Sequence, residues 1–281
     1  MKKIVIPTDF SENAWNAITY AMHFLKDQKC TFYFLHTYTP AFYRMDYAFG
    51  GGIYSAIPDL DADAALARLE ETVKKVKAQF PNPDHTFEMV SAFNTLTDEI
   101  IEFSKKNKID LVVMGTQGAT GAKQLFLGSN TVFVIRKVKL PILVIPNGCK
   151  FVPIKNILFP SDFMEAHKKE EVYTIIETAN IFDAEITVLN LWEVFELTKD
   201  QEGNKNILLR YLKNVSASYR QVQVKGKKLS EAILDYVDTN DVDLLAMMNR
   251  DHSFFERVLI RQSIDQIGFQ INIPFLIIHD K

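Results

Sequence analysis

The segment Ile4-Val5-Ile6-Pro7-Thr8-Asp9-Phe10 returns in kind as Ile157-Leu158-Phe159-Pro160-Ser161-Asp162-Phe163. An apolar triplet, a proline, a hydroxyl, an aspartate and a phenylalanine recur in the same order. Later landmarks follow suit. Leu35-His36-Thr37 pairs with Leu189-Asn190-Leu191, the run Asp110 to Met114 with Asp243 to Met247, and Leu140 to Ile145 with Ile273 to Ile278. Landmarks repeated in one order indicate a duplicated chain, and so long a period makes each repeat a domain rather than a solenoid unit. Asn147-Gly148-Cys149-Lys150 reads as the joint, giving domains at 1–148 and 149–281. A chain of 281 residues that is 47% hydrophobic has enough apolar material for a core in each half.

Within the first repeat, β-rich runs near residues 2–7, 31–37, 86–91, 110–115 and 141–146 alternate with segments of helical period. Ala14, Ile18, Ala21, Met22 and Leu25 fall on one helical face, and Leu66, Leu69, Val73, Val76 and Phe80 on another. Val132, Ile135 and Val138 mark a further helix. Leu111-Val112-Val113-Met114 is apolar without alternation, as a strand covered by helices on both faces requires. Strand and helix in alternation predict a parallel, doubly wound α/β sheet in each repeat.

Charge excludes several partners. With a net charge of -3 and 24% charged residues, no strong field draws the chain to nucleic acid or an anionic membrane. The apolar runs are strand-sized, far below the ~20 residues that span a bilayer. The N-terminal run stops at Pro7, too short for a signal-peptide core, so it reads as the first strand and a cytoplasmic location is expected. Cys30 and Cys149 form no metal or redox motif, and the six histidines are scattered without ligand spacing, so no metal site is expected.

Open parallel sheets bind ligands beyond the carboxyl ends of their strands, where strand order reverses. Two segments of the first repeat occupy such places: Pro7-Thr8-Asp9-Phe10-Ser11, and the stretch from Met114-Gly115-Thr116-Gln117-Gly118 to Gly128-Ser129-Asn130-Thr131. Glycine permits close backbone approach, and a helix opening at Ser129 would turn free N–H groups toward an anion. On the residues alone, a phosphate cradle and a set of ordinary turns with a serine cap stand level.

The spacing breaks that tie. Gly115, Gly118, Gly128 and Ser129, with Pro7-Thr8-Asp9 at the first strand and Leu140-Pro141-Ile142-Leu143-Val144-Ile145 at the fifth, resemble the universal stress protein family, twice over. The resemblance implies a tandem member with five-stranded parallel sheets of order 3-2-1-4-5 and helices on both faces. It implies that Asp9 and the backbone near Thr37 hold the adenine and ribose side of ATP or AMP. Pro7, Thr8 and Met114 join them in lining the site, Gly115 and Gly118 allow close passage, and Gly128, Ser129, Asn130 and Thr131 hold phosphates, with Mg2+ accompanying the nucleotide. It further implies pairing of like domains through their fifth strands, hence an internal pseudo-dimer and room for a homodimer. Gln117 departs from the basic or imidazole side chain many members carry. The expected role is a nucleotide-dependent sensor or regulator in a stress response.

The second repeat has lost this chemistry. In the register set by Asp110 and Asp243, Gly115 becomes Met248, Gly118 Asp251, Gly128 Arg261 and Ser129 Gln262. Side chains then fill phosphate space, and no family-type nucleotide is expected there. The first repeat also carries an extra stretch from Tyr38 to Leu60, with Phe42, Tyr43, Tyr47, Phe49 and Tyr54 around Gly50-Gly51-Gly52. A cover over the nucleotide, an interface, or a loop packed on its own domain accounts for it.

Rival chemistries lack their residues. G-x-x-x-x-G-K-[ST] is absent, and Thr8-Asp9-Phe10 stands where a dinucleotide fold needs G-x-G-x-x-G. No catalytic residues are assigned. Slow ATP hydrolysis stays open as the enzyme alternative, since a bound triphosphate needs only a positioned water, and a ligand-free scaffold as the other.

Overall fold

The computed structural model describes residues 1–38, 60–116, 128–192, 196–249 and 272–280. The chain divides into two compact units, the first formed by Met1–Gly121 with Gly128–Val138 and the second carrying Lys139–Lys281.

In the first unit, β1 (Lys2–Pro7), β2 (Cys30–Tyr38), β3 (His85–Phe93) and β4 (Leu111–Gly115) stand in the order β3-β2-β1-β4. The described pairs are parallel. Ile4 to Ile6 and Val112 to Val113 are fully buried, which explains their unbroken apolar sequence. Helices α1 (Glu12–Phe24), α2 (Leu60–Gln79), α3 (Leu96–Asn107) and α4 (Ser129–Lys137) alternate with the strands. The α1 stripe of Ala14, Ile18, Ala21 and Met22 is buried as its spacing predicts. In α2 the stripe is rotated. Leu66 is 43% exposed, and the buried face is Ala65, Leu69 and Val76. One residue is 100° of helix, so the small Ala65, rather than Leu66, meets the sheet. The stripe of α4 keeps Ile135 and Val138 buried and adds Val134, with Val132 only partly buried.

The second unit holds β5 (Ile142–Ile145), β6 (Asn156–Pro160), β7 (Glu185–Trp192), β8 (Ala217–Gln223), β9 (Leu244–Asn249) and β10 (Phe275–His279), ordered β5-β10-β9-β6-β7-β8. Its helices are α5 (Lys169–Phe182), α6 (Lys199–Leu212) and α7 (Leu229–Thr239). The expectation of purely parallel sheets fails at β5. Ile142, Leu143 and Val144 pair antiparallel with Ile277, Leu276 and Phe275 of β10, so the sheet is mixed. Both segments are the fifth strands of their repeats, and each covers the other's open row of N–H and C=O groups.

Duplication extends to single hydrogen bonds. Ile4 pairs with Leu111 as Ile157 does with Leu244, and Pro7 pairs with Leu35 as Pro160 does with Leu189. Asp110 Oδ2 accepts from Lys3 N at 2.8 Å, and Asp243 Oδ2 from Asn156 N, the counterpart of Lys3, at 2.9 Å. Even the left-handed backbone recurs, at Phe10 (φ 64) and Phe163 (φ 55).

Candidate functional site

A cavity of about 230 Å3 opens beyond the carboxyl ends of β1, β2 and β4 in the first unit. That is just below the ~300 Å3 at which ordinary small-molecule pockets begin. Pro7, Thr8 and Asp9 form one wall, Thr37 a second, Met114 and Gly115 a third, and Gly128 to Thr131 a fourth. These are the residues that the sequence singled out, apart from Gly118, which lies outside the described residues with Gln117. The tyrosine- and phenylalanine-bearing stretch at 39–59 lies outside them as well.

Each wall has a local cause. After β1 the chain reverses through a turn closed by Phe10 N to Thr8 Oγ1 (3.0 Å) and Ser11 N to Asp9 Oδ1 (3.0 Å). Ser11 Oγ also donates to Asp9 Oδ1 at 2.6 Å, then accepts from Ala14 N as the cap of α1. Asp9 Oδ1 is thereby engaged, and Oδ2 has no partner among the described residues.

At the opposite wall, β4 ends on Gly115 because the chain passes against α1. A Cβ there would lie 2.5 Å from Asn13 Nδ2. Gly128 N donates to Thr116 O at 2.6 Å, and Thr131 Oγ1 donates to Gly115 O at 3.1 Å. These bonds draw the start of α4 onto the end of β4.

The first turn of α4 differs from its neighbours. Its N-cap is Gly128, which makes no side-chain cap bond, and its first turn carries no acidic residue. By contrast α1, α3 and α6 are capped by Ser11, Thr95 and Thr198, while α5 and α7 carry Glu171 and Glu231 in their first turns. The start of α4 thus borders the cavity with no anion or hydroxyl capping its N–H groups among the described residues. No lysine or arginine is among the described lining residues.

Leu35, His36, Ala14 and Leu96 also line the cavity. None of these four is among the residues that the resemblance assigns to the site. Leu96 was findable in principle, because it follows the end of β3 on the carboxyl side of the sheet.

The corresponding place in the second unit is built differently. Met248 takes the position of Gly115 and is buried. The cap of α1 is Ser11, two residues after Asp9, whereas that of α5 is Lys168, six residues after Asp162. The additional residues carry His167, whose Nε2 lies 3.2 Å from Ser161 Oγ in a buried contact. The turn's carbonyls are taken by side chains: Gln201 Nε2 donates to Asp162 O (2.8 Å) and Asn204 Nδ2 to Phe163 O (2.9 Å). Asp251, Arg261 and Gln262 lie outside the described residues.

Among the described residues no group of His, Cys, Asp or Glu is arranged to hold a metal ion, and no helix is long and apolar enough to cross a membrane.

A model of the Universal stress protein family matches residues 1–146 and again 153–279. Universal stress protein MJ0531 of Methanocaldococcus jannaschii is 35% identical over 149 residues, covering 51% of this chain and 81% of that protein. Universal stress protein MJ0577 of the same organism is 25% identical over 152 residues, covering 51% and 94% respectively. Among solved structures, a universal stress protein from Archaeoglobus fulgidus matches 98% of this chain and 95% of its own, with a TM-score of 0.69 at 17% identity. That likeness concerns the fold.

Proposed function

The chain belongs to the universal stress protein family, in tandem form, and on that premise we propose that its first unit binds ATP or AMP and acts as a nucleotide-dependent regulator. The observation that carries this reading is the meeting of Asp9 with the uncapped start of α4 across one cavity. A carboxylate oxygen without a described partner suits a ribose hydroxyl. Main-chain N–H groups at a helix N-terminus suit phosphate oxygens. Leu35 and Met114 supply apolar surface for a purine, and the main chain at Thr37 its hydrogen-bonding edge.

Several features follow from the lining. With no described cation in it, phosphate charge is met by backbone dipoles, and Mg2+ enters on the nucleotide's own oxygens. Gly115, Gly128, Ser129 and Asn130 are binding residues in this account, with Thr131 holding the wall in place, and Gly118 completes the set by family position. Domains at 1–148 and 149–281 divide the labour, the second serving as a packing partner.

A binding module requires only this geometry. Native mass spectrometry of the purified chain with Mg-ATP tests it: one nucleotide per chain is expected, and two per chain, or none on folded protein, would contradict the assignment.

A further inference from the structure

His36 closes the turn that carries Asp9. Its Nδ1 lies 2.7 Å from Thr8 O. A carbonyl only accepts, so Nδ1 holds the proton and donates it. The same ring packs on Phe10, centroid to centroid 4.6 Å, and the Arg68 guanidinium lies 4.1 Å from the Phe10 ring. Phe10 has a φ of 64, a backbone region that a bulky side chain occupies only when its surroundings hold it there.

The second repeat repeats this device with other groups. Asn190 stands at the position of His36, and its Nδ2 donates to Ser161 O at 2.9 Å. There the next carbonyls of the turn are also tied, by Gln201 and Asn204. Among the described residues of the first repeat, Asp9 O and Phe10 O have no such side-chain donor. The single bond from His36, with its ring against Phe10, does what three amide bonds do in the second repeat.

We infer that His36 is a positioning residue of the proposed nucleotide site: it sets the Thr8-Asp9-Phe10 turn and so presents the Asp9 carboxylate to the ligand. The inference rests on the nucleotide reading above and adds to it a residue that acts through Asp9. Asparagine serves the second repeat at this place, so the donor is the property that matters.

The test uses His36→Ala, His36→Leu and His36→Asn in the full chain, with two readouts. Hydrogen exchange at the Phe10 and Ser11 amides, without ligand, reports the turn; titration with Mg-ATP reports binding. Loss of the donor in the Ala and Leu variants should speed exchange and weaken binding about tenfold each, while Asn stays within about threefold of the parent chain. Exchange at Val112 and Val113 serves as the control for folding. Unchanged exchange in His36→Ala, or equal losses in Ala and Asn, would overturn the inference while leaving the nucleotide site standing. A parent chain that binds no Mg-ATP would defeat both.

Discussion

Gly115 and Asn13 meet so closely that a methyl group added at residue 115 would lie 2.5 Å from the Asn13 amide nitrogen and 2.9 Å from its Cγ. Close approach, and not backbone conformation, requires glycine here, because its φ is outside the left-handed range. Asn13 is buried in the first turn of α1, so it cannot simply swing into solvent. Gly115→Ala should therefore cost about 1–3 kcal/mol in denaturant unfolding. Adding Asn13→Ala should recover part of that loss, as coupled neighbours do in a double-mutant cycle. Strictly additive effects would show that the contact does not constrain the site wall.

The aspartates at the amino ends of β4 and β9 do equal work in unequal measure. Asp110 Oδ2 accepts from Lys3 N, whereas Asp243 Oδ2 accepts from both Lys155 N (2.8 Å) and Asn156 N (2.9 Å). Replacing each by alanine should destabilise the chain by about 1 kcal/mol at residue 110 and about 2 kcal/mol at residue 243. Unfolding curves in urea compare the two directly, and the reverse order would refute the bond count as the cause.

Burial holds His279 neutral, lowering its pKa from 6.5 to about 4, with the Lys139 charge acting the same way and Asp280 opposing. The unfolded chain then binds a proton that the folded one refuses. Stability from this residue is intact above pH 6.5 and falls as pH drops toward 4, by about 2 kcal/mol between pH 7 and pH 4.5. The unfolding free energy of the parent minus that of His279→Leu should fall by that amount over the same interval. A constant difference would mean that the imidazole is solvated at the end of β10.

Much of the first repeat was legible because buried parallel strands leave no alternative to apolar runs: Ile4 to Ile6 and Leu111 to Met114 could serve little else. The duplication placed the landmarks of the second repeat. Leu66 misled because hydrophobic spacing fixes a face only to within a residue, and Ala65 carries too little hydrophobicity to compete. The antiparallel union of β5 and β10 left no trace in either strand's pattern, since periodicity says which faces are buried and nothing about which edge is covered. At the site, glycine spacing and the loop after β1 pointed to walls that the structure brings together. The bond from His36 to Thr8 O is encoded in no local pattern. The delayed start of α5, with His167 folded back on Ser161, was hidden for the same reason.

The central claim is that a nucleotide's phosphates sit at the uncapped start of α4. Gly128 has φ -60 and ψ 154, a conformation open to any residue, so Gly128→Glu should fold while placing bulk and negative charge at that spot. Titration calorimetry of Mg-ATP into the parent chain and this variant decides the matter: submillimolar binding at one site, lost in Gly128→Glu, is the predicted result. Equal binding by both proteins, or none by a folded and nucleotide-free parent, would contradict it.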